Sequence, residues 1–413
     1  MVPEIATLAA SVLGELESVL PEPHRPALVR VEDFGGVPLL RFRWPNGLTL
    51  LVEIDRGAPV VSLQTWVRAG SRLERPGKTG ISHLFEHLMF GETESTPHGD
   101  FDRLLEEAGG ETNAATFLDW TYYHQNLPKE ALALGLRLEA ERFRHLVLRD
   151  PQVASEKEVV TNERQQRVDD DVDGFASELL YKQAFTRHGY GIPTIGWLAD
   201  IQSFTPADCE RFYRTYYAPN NLSLVLVGDV DLAVALQTIS AHFGPQAAAE
   251  IPIEDVAVEP PQTEERLTTI TKPTPTVKVC VGYRSPAMGD FDYAPLVVLC
   301  EAMFGGRSSR VHKRLVHELE IASDVRGWVG AFRDPALFDI SLVGREGVGP
   351  DALLREFDAV VEQLVREPPS EAELEKAKAK LELGAVQGLE SVSGRAESIG
   401  FYETVLGTPA AYF

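Results

Sequence analysis

The segment from His83 to His87 reads His-Leu-Phe-Glu-His and combines two imidazoles with one carboxylate. On a helix, His83 and His87 lie four residues apart on one face, within reach of a single metal ion. Glu86 follows His83 by three residues, so its carboxylate flanks the same position. Neutral imidazoles suit zinc, and a carboxylate beside zinc can take a proton from water. The spacing therefore predicts a zinc site, with a helix that carries two structural histidines as the alternative.

A catalytic zinc site takes three protein ligands and leaves one position open. Asp150-Pro151 is typical of a helix start, because aspartate caps a helix and proline suits its first turn. Glu156 and Glu163 lie seven residues apart, on one face of this predicted helix, whereas Glu158 points elsewhere. One of the two would be the third ligand. The other would orient a histidine or the attacking water.

The elements that must position these residues follow from hydrophobic periodicity. Asn46-Gly47 between two apolar runs predicts a hairpin over 39–54. Alternation of apolar and other residues from Val61 to Val67 predicts a half-buried strand. Further predictions are an amphipathic N-terminal helix ending before Pro21, helices over 81–90, 100–108, 128–143, 151–167 and 293–304, and strands over 112–126, 222–227 and 277–281.

Proline-rich, aperiodic sequence divides the chain. We predict an N-terminal helical extension (1–30), a zinc-binding catalytic domain (31–245), a linker (246–265) and a second, non-catalytic domain (266–413). The tripeptide Met-Phe-Gly follows a strand, a loop and a helix in both halves, which indicates two similar α+β domains. We expect the second domain to be incomplete, because the chain ends at Phe413 in helical sequence.

Charge and composition exclude several classes of protein. With 39 Lys and Arg against 62 Asp and Glu, the net charge of -23 argues against nucleic-acid binding and leaves room for a cationic peptide. No apolar stretch is long enough to span a membrane. The N-terminus lacks a basic region, which favours the cytoplasm, or the periplasm if a signal peptide has been removed. The 3 cysteines are widely spaced and predict buried thiols rather than disulfides.

Three longer segments carry a family resemblance: Gly80–Phe90 around the two histidines, Gly109–Thr116, and Tyr217–Leu222. Glu163 also follows His87 by 76 residues, with Glu156 seven residues before it. Together these features resemble the pitrilysin/insulinase family of zinc peptidases, the inverzincins, with matches from about residue 35 to 345. The resemblance implies an α+β fold of two homologous α/β-sandwich domains, each a mostly antiparallel sheet packed by helices. Such a pair forms half of a clam-shell chamber peptidase.

The resemblance implies roles for individual residues. His83, His87 and Glu163 would bind one Zn²⁺ per chain, Glu86 would be the general base and Glu156 a supporting carboxylate. An edge strand would pair with an extended peptide substrate, as strand addition allows; its residues are Asn113, Ala114, Ala115 and Thr116. In the second half, Val297, Cys300 and Glu301 fall at the places of the motif residues, so that half would form no equivalent site.

One departure from the family concerns substrate binding. Relatives carry an Arg and a Tyr that hold the substrate carbonyl, and His317 and Ser323 stand near those places here. Neither supplies an equivalent set of oxyanion donors. We therefore predict a zinc endopeptidase of short unfolded peptides that acts as a heterodimer, with a homologous subunit supplying the Arg and Tyr. A homodimer is the second choice, and a non-catalytic scaffold or binding subunit is the alternative function.

Overall fold

The structure is a computed structural model that describes residues 2–34, 36–254 and 256–412 of the 413-residue chain. Phe413, at which the sequence analysis expected helical sequence to stop, lies outside the described residues. The strands are β1 (Ala27–Phe34), β2 (Val37–Arg43), β3 (Thr49–Ile54), β4 (Val60–Val67), β5 (Glu111–Thr116), β6 (Thr121–Pro128), β7 (Leu222–Gly228), β8 (Lys278–Arg284), β9 (Ala322–Val329) and β10 (Leu337–Gly344).

The helices are α1 (Val2–Glu17), α2 (Ile81–Leu88), α3 (Asp100–Glu107), α4 (Leu132–Arg142), α5 (Asp150–Arg164), α6 (Val172–Ala184), α7 (Leu198–Ser203), α8 (Pro206–Tyr216), α9 (Leu232–His242), α10 (Tyr293–Phe304), α11 (Pro350–Arg366), α12 (Glu371–Gly388) and α13 (Val392–Leu406). A π-helical turn over Gln165–Asp169 continues α5. Another such turn covers His312–Glu318. Among the described residues, no helix has both the length and the apolar character needed to span a membrane.

The chain divides into two compact units that interleave along the sequence. Unit 1 comprises Met1–Arg164, Ile192–Ala257 and Gly388–Phe413, and unit 2 comprises Gln165–Gly191 and Val258–Gln387. Neither unit is one continuous stretch of the chain. Residues 165–191 belong to unit 2 although unit 1 flanks them on both sides, and residues 388–413 belong to unit 1 although they follow unit 2. The homology predicted between the two domains stays a prediction.

Unit 1 is built on a seven-stranded sheet in the order β1-β2-β3-β7-β4-β6-β5. Its neighbouring strands are antiparallel except β3 and β7, which run parallel. The main core lies between one face of this sheet and the helices, and it includes Leu50, Leu224 and Phe85. The N-terminal helix joins the same core through Ala9, Val12 and Leu16.

The prediction that β4 is half-buried was wrong, because the described strand is buried at every residue after Val60. The helix α13 covers the second face of the sheet, where Trp66 packs with Ala396 and Ile399. Gln64 on that face donates its Nε2 hydrogen to the carbonyl of Ser393 at 3.1 Å. The alternation in the sequence was correct, but both sets of side chains are covered.

The predicted strand over 112–126 is two strands, β5 and β6, which pair antiparallel around a turn. Because the order of the sheet ends in β6-β5, β5 has a strand neighbour on one side only among the described residues. This free edge lies in the segment that the family resemblance implied for peptide binding.

Unit 2 contains a three-stranded antiparallel sheet in the order β8-β10-β9. Its core packs this sheet against α10 and α11, with Met303, Ile340 and Phe357 among the buried residues. Residues 245–277, between α9 and β8, contain no helix or strand in the part that the structure describes. The α+β class with mostly antiparallel sheets, predicted from the sequence, is confirmed.

Candidate metal centre

Two helices of unit 1 bring the candidate ligands together. The helix α2 buries Leu84, Phe85 and Leu88 in the core, which leaves its histidines facing α5. Glu163 stands at the last turn of α5, and its Oε2 lies 3.5 Å from Nε2 of His83 and 3.3 Å from Nε2 of His87. The structure thus places three potential ligands from two separate parts of the sequence around one point.

The spacing of these atoms fits a zinc ion. Ligand atoms at 2.0–2.1 Å from a tetrahedral zinc lie about 3.3 Å apart, close to the two distances from Glu163. One ligand atom from each of His83, His87 and Glu163 lies within 4.8 Å of the others. Among the described residues, this is the one group of three or more His, Cys, Asp or Glu side chains with such an arrangement. Two imidazoles and one carboxylate are a typical catalytic zinc set.

Glu156 contacts the other ring nitrogen of His87 from the one that Glu163 contacts. Its Oε2 is 3.7 Å from Nδ1 of His87, on the side of the ring away from the cluster. A carboxylate in this place orients a ligating imidazole. Burial opposes a positive charge on His87, but Glu163, Glu86 and Glu156 outweigh that effect and raise its pKa. The carboxylates therefore make the centre favourable for a cation.

Glu86 lies between the histidines and the free edge of the sheet. It is partly buried on α2, beside Thr116 at the end of β5. Burial raises the pKa of the Glu86 carboxyl, while the neighbouring Thr116 and His87 act in the opposite direction. A carboxyl with a raised pKa beside a metal centre suits proton transfer at neutral pH.

The four residues of the predicted substrate strand lie on β5, and each is exposed or partly buried. The N–H of Ala114 donates to Oδ1 of Asn113 at 2.8 Å rather than to β6. Thr116 lies beside Glu86, two residues further along the strand than Ala114. Since N–H groups two residues apart point the same way along a strand, both face the free edge of β5. Ala115 pairs with Tyr122 of β6.

Glu74 has no role predicted from the sequence, although it contacts the start of the motif helix. Its carboxylate accepts hydrogen bonds from the N–H groups of Gly80 at 2.6 Å and Ser82 at 2.8 Å. A glutamate seven residues before the first residue of a helix matches no capping pattern, because local capping signals span about three residues. Nothing in the sequence pattern would have identified it.

The corresponding positions in unit 2 carry no such cluster among the described residues. Val297 and Cys300 lie on α10, and both pack against the apolar core of that unit. Glu301 pairs with Lys380. His317 is exposed on a π-helical turn, and Ser323 is exposed in β9, where its hydroxyl donates to the carbonyl of Val343 at 3.3 Å.

Comparison with known families finds two matches along the chain. Residues 49–196 match the family described as insulinase (peptidase family M16), and residues 203–381 match the peptidase M16 inactive domain. A protein of Helicobacter pylori named zinc protease PqqE is 30% identical over 353 residues, which cover 84% of this chain and 79% of that protein. The chain belongs to the insulinase (M16) family. The resemblance recognised from the sequence is therefore confirmed.

Other relatives in this family carry different names. The mitochondrial-processing peptidase subunit beta of Blastocladiella emersonii is 24% identical over 368 residues, covering 87% of this chain and 78% of that protein. By its name, that relative is one subunit of a larger enzyme. Relatives named as zinc proteases indicate that zinc belongs to the family.

Solved structures of the family share the fold. The crystal structure of a protease from Helicobacter pylori superposes with a TM-score of 0.87 and 28% identity, covering 91% of this chain and 92% of that one. A peptidase M16 inactive domain from Pseudomonas fluorescens superposes with a TM-score of 0.78 at 20% identity, covering 91% and 90% of the two chains. That second likeness concerns the fold alone.

Proposed function

We propose that this protein is a zinc-dependent endopeptidase that hydrolyses short, unfolded peptides. The observation that supports the proposal is that the Glu86 carboxyl lies near both the cluster of His83, His87 and Glu163 and Thr116 of the edge strand. Glu86 belongs to the same short helix as His83 and His87, and Thr116 of the edge strand contacts it. One zinc per chain would be held by His83, His87 and Glu163.

In this proposal, zinc supplies a Lewis acid that polarises the scissile carbonyl and lowers the pKa of water. Glu86 takes the proton of the attacking water and delivers it to the leaving amine. Thr116, which lies beside Glu86, favours the ionised form of that carboxyl. Glu156 orients the ring of His87 from the far side.

The edge strand β5 determines how a substrate lies. An extended peptide that pairs with β5 would take the N–H of Ala114, which the side chain of Asn113 occupies in this structure. Backbone pairing binds any unfolded segment with little regard to side chains. This explains a preference for unfolded peptides over folded proteins, whose strands are already paired.

The decisive test is Glu86→Gln, which removes the base and keeps the shape of the side chain. We expect the variant to retain about one zinc per chain and to lose roughly 100- to 10,000-fold in kcat. Glu158→Gln on the exposed side of α5 is the matched control and should leave zinc content and kcat unchanged. Native turnover by Glu86→Gln would refute the mechanism. A wild-type chain that takes up no added zinc would instead favour the scaffold subunit.

We also propose that the active form is a heterodimer with a homologous subunit that carries the family's Arg and Tyr pair. His317 and Ser323 stand near those places in this chain, and a relative named as a subunit beta supports a shared assembly. The purified chain should bind zinc but cleave peptides slowly. Adding a homologous chain that contains the Arg and Tyr but no zinc motif should restore turnover. Full activity of the chain alone would overturn the heterodimer in favour of a homodimer.

A further inference from the structure

The motif helix α2 begins without a cap of its own. Its first residue outside the helix is Gly80, which has no side chain and adopts a left-handed φ of 88°. The first N–H groups of any helix lack partners within the helix. Glu74 supplies acceptors for two of these groups, because one carboxylate oxygen accepts the N–H of Gly80 and the other accepts the N–H of Ser82. His83, a proposed ligand, is the next residue.

A second connection joins the start of α2 to the end of α5. Arg164 directly follows Glu163, and its guanidinium donates to the carbonyl of Gly196 at 2.7 Å. Gly196 in turn lies against Gly80. A Cβ on Gly196 would approach Cα of Gly80 to 2.5 Å, and a Cβ on Gly80 would approach the carbonyl of Ile195 to 2.4 Å. The two loop backbones are therefore in direct contact.

Thr79, the residue before Gly80, makes further contacts with the segment that contains Gly196. Its hydroxyl donates to Oδ2 of Asp200 at 2.7 Å and accepts the N–H of Trp197 at 3.0 Å. The N–H of Thr79 also binds Oδ2 of Asp200 at 3.1 Å. The loop before α7 and the first turn of α7, residues 196–200, thus hold the residues just before α2, while Arg164 of α5 contacts the same segment at Gly196.

The consequence concerns the distance between the ligands. His83 is in the first turn of α2 and Glu163 is next to Arg164, so both lie at the ends of helices that these contacts hold. The motif histidines would move relative to Glu163 if the first turn of α2 frayed. A metal site whose ligands are already in place loses less freedom when it binds an ion.

We propose that Glu74 is a positioning residue of the metal centre: it holds the first turn of α2 so that His83 and His87 meet Glu163. This inference rests on the proposed zinc site. Substitution of a residue that orients a metal ligand lowers metal affinity about 10- to 100-fold. Glu74 acts on the backbone of the ligand helix rather than on a ligand side chain.

The experiment measures zinc affinity of the full chain by competition with a chromogenic chelator. Glu74→Ala removes both acceptors, and Glu74→Gln keeps the size and one acceptor oxygen. Asp231→Ala is the matched control, because Asp231 caps α9 of the same unit by accepting the N–H of Val234 and lies on a helix without ligands. Thermal unfolding of each zinc-free protein reports the purely structural cost.

We expect Glu74→Ala to weaken zinc binding about 10- to 100-fold and Glu74→Gln to fall between it and wild type. Asp231→Ala should lower Tm by a similar amount and leave zinc affinity unchanged. At saturating zinc, peptide hydrolysis by Glu74→Gln should recover with an unchanged KM. If Glu74→Ala does not fold, Glu74→Gln carries the comparison.

Zinc binding by both Glu74 variants within twofold of wild type would overturn the positioning role while the proposed function stands. A loss of zinc affinity in Asp231→Ala equal to that in Glu74→Ala would overturn it as well, because general destabilisation would then explain the effect. Failure of the wild-type chain to bind zinc would refute the proposed function, and this inference with it. These outcomes are distinguishable in one titration series.

Discussion

Glu163 Oε2 lies 3.3 Å from Nε2 of His87, although 76 residues separate the two in the chain. The contact joins the end of α5 to the motif helix α2. Glu163 also contacts His83, whereas Glu156 reaches only the far nitrogen of His87. Two glutamates on one face of α5 therefore make different contacts with the histidines, and their loss should have different effects on zinc binding.

Glu163→Gln should weaken zinc binding by more than about 100-fold, because the loss of a ligand exceeds the loss of a supporting group. Glu156→Gln should cost about 10- to 100-fold. Zinc content after dialysis against a weak chelator measures both. Glu158→Gln, on the exposed side of the same helix, should retain zinc as the wild type does. Equal effects of Glu163→Gln and Glu156→Gln would contradict the assigned ligand.

Ala114→Pro should raise KM for peptides by roughly 2- to 10-fold, because it removes one N–H from the free edge of β5. Zinc content should not change. Proline is tolerated on edge strands, so the fold should persist. Val29→Pro is the matched control at the opposite edge of the sheet, where β1 has a bulge between Leu28 and Arg30. A KM change in Val29→Pro as large as in Ala114→Pro would argue against β5 as the binding strand.

Gly400→Ala should destabilise the protein although it lies inside α13. A Cβ there would approach Nε1 of Trp66 to 2.0 Å, and overpacking of a core costs roughly 1–3 kcal/mol. Gly384→Ala in α12 should have the opposite sign, because nothing lies within 4 Å of its Cβ position. That change should stabilise by about 1 kcal/mol. Thermal unfolding of the two variants checks the signs, and a higher Tm for Gly400→Ala would refute the described packing of α13.

Acid should weaken unit 2 partly through Glu259. Burial alone would raise the pKa of its carboxyl, but the N–H groups of His188, Thr186 and Arg187 outweigh it and lower the pKa from 4.5 to about 2. A group with a lowered pKa stabilises the fold above its ordinary value, and this stabilisation is lost as the pH falls from 4.5 towards 2.

The measurement compares urea midpoints of wild type and Glu259→Gln between pH 7 and pH 3. Glu259→Gln should be less stable at pH 7, and the difference should shrink towards pH 3, because the carboxylate of the unfolded wild-type chain has its ordinary pKa of 4.5 and becomes protonated first. Glu264→Gln, an exposed carboxylate nearby, should follow the wild type. A difference that stays constant with pH would show that the ionised form of Glu259 contributes nothing.

Much of the candidate centre was predictable because its signals are local. The order His83, Glu86, His87 places all three on one side of a helix through the helical repeat alone, and α2 has that form. The edge segment of β5 also carries its own pattern. The choice between Glu156 and Glu163 was not predictable from spacing, because both lie on the same face of α5. Only the crossing of α5 with α2 distinguishes them.

The sequence by itself determined the fold class, the family and the residues that can bind metal, because these depend on periodicity and on the chemistry of side chains. The tertiary structure alone decided which side chains meet. It covers the second face of β4 with α13, a helix that begins more than 300 residues later in the chain. It also brings Glu74 to the start of α2 and Arg164 to the loop at Gly196. Such contacts depend on the paths of separate segments, and no local pattern of residues encodes them.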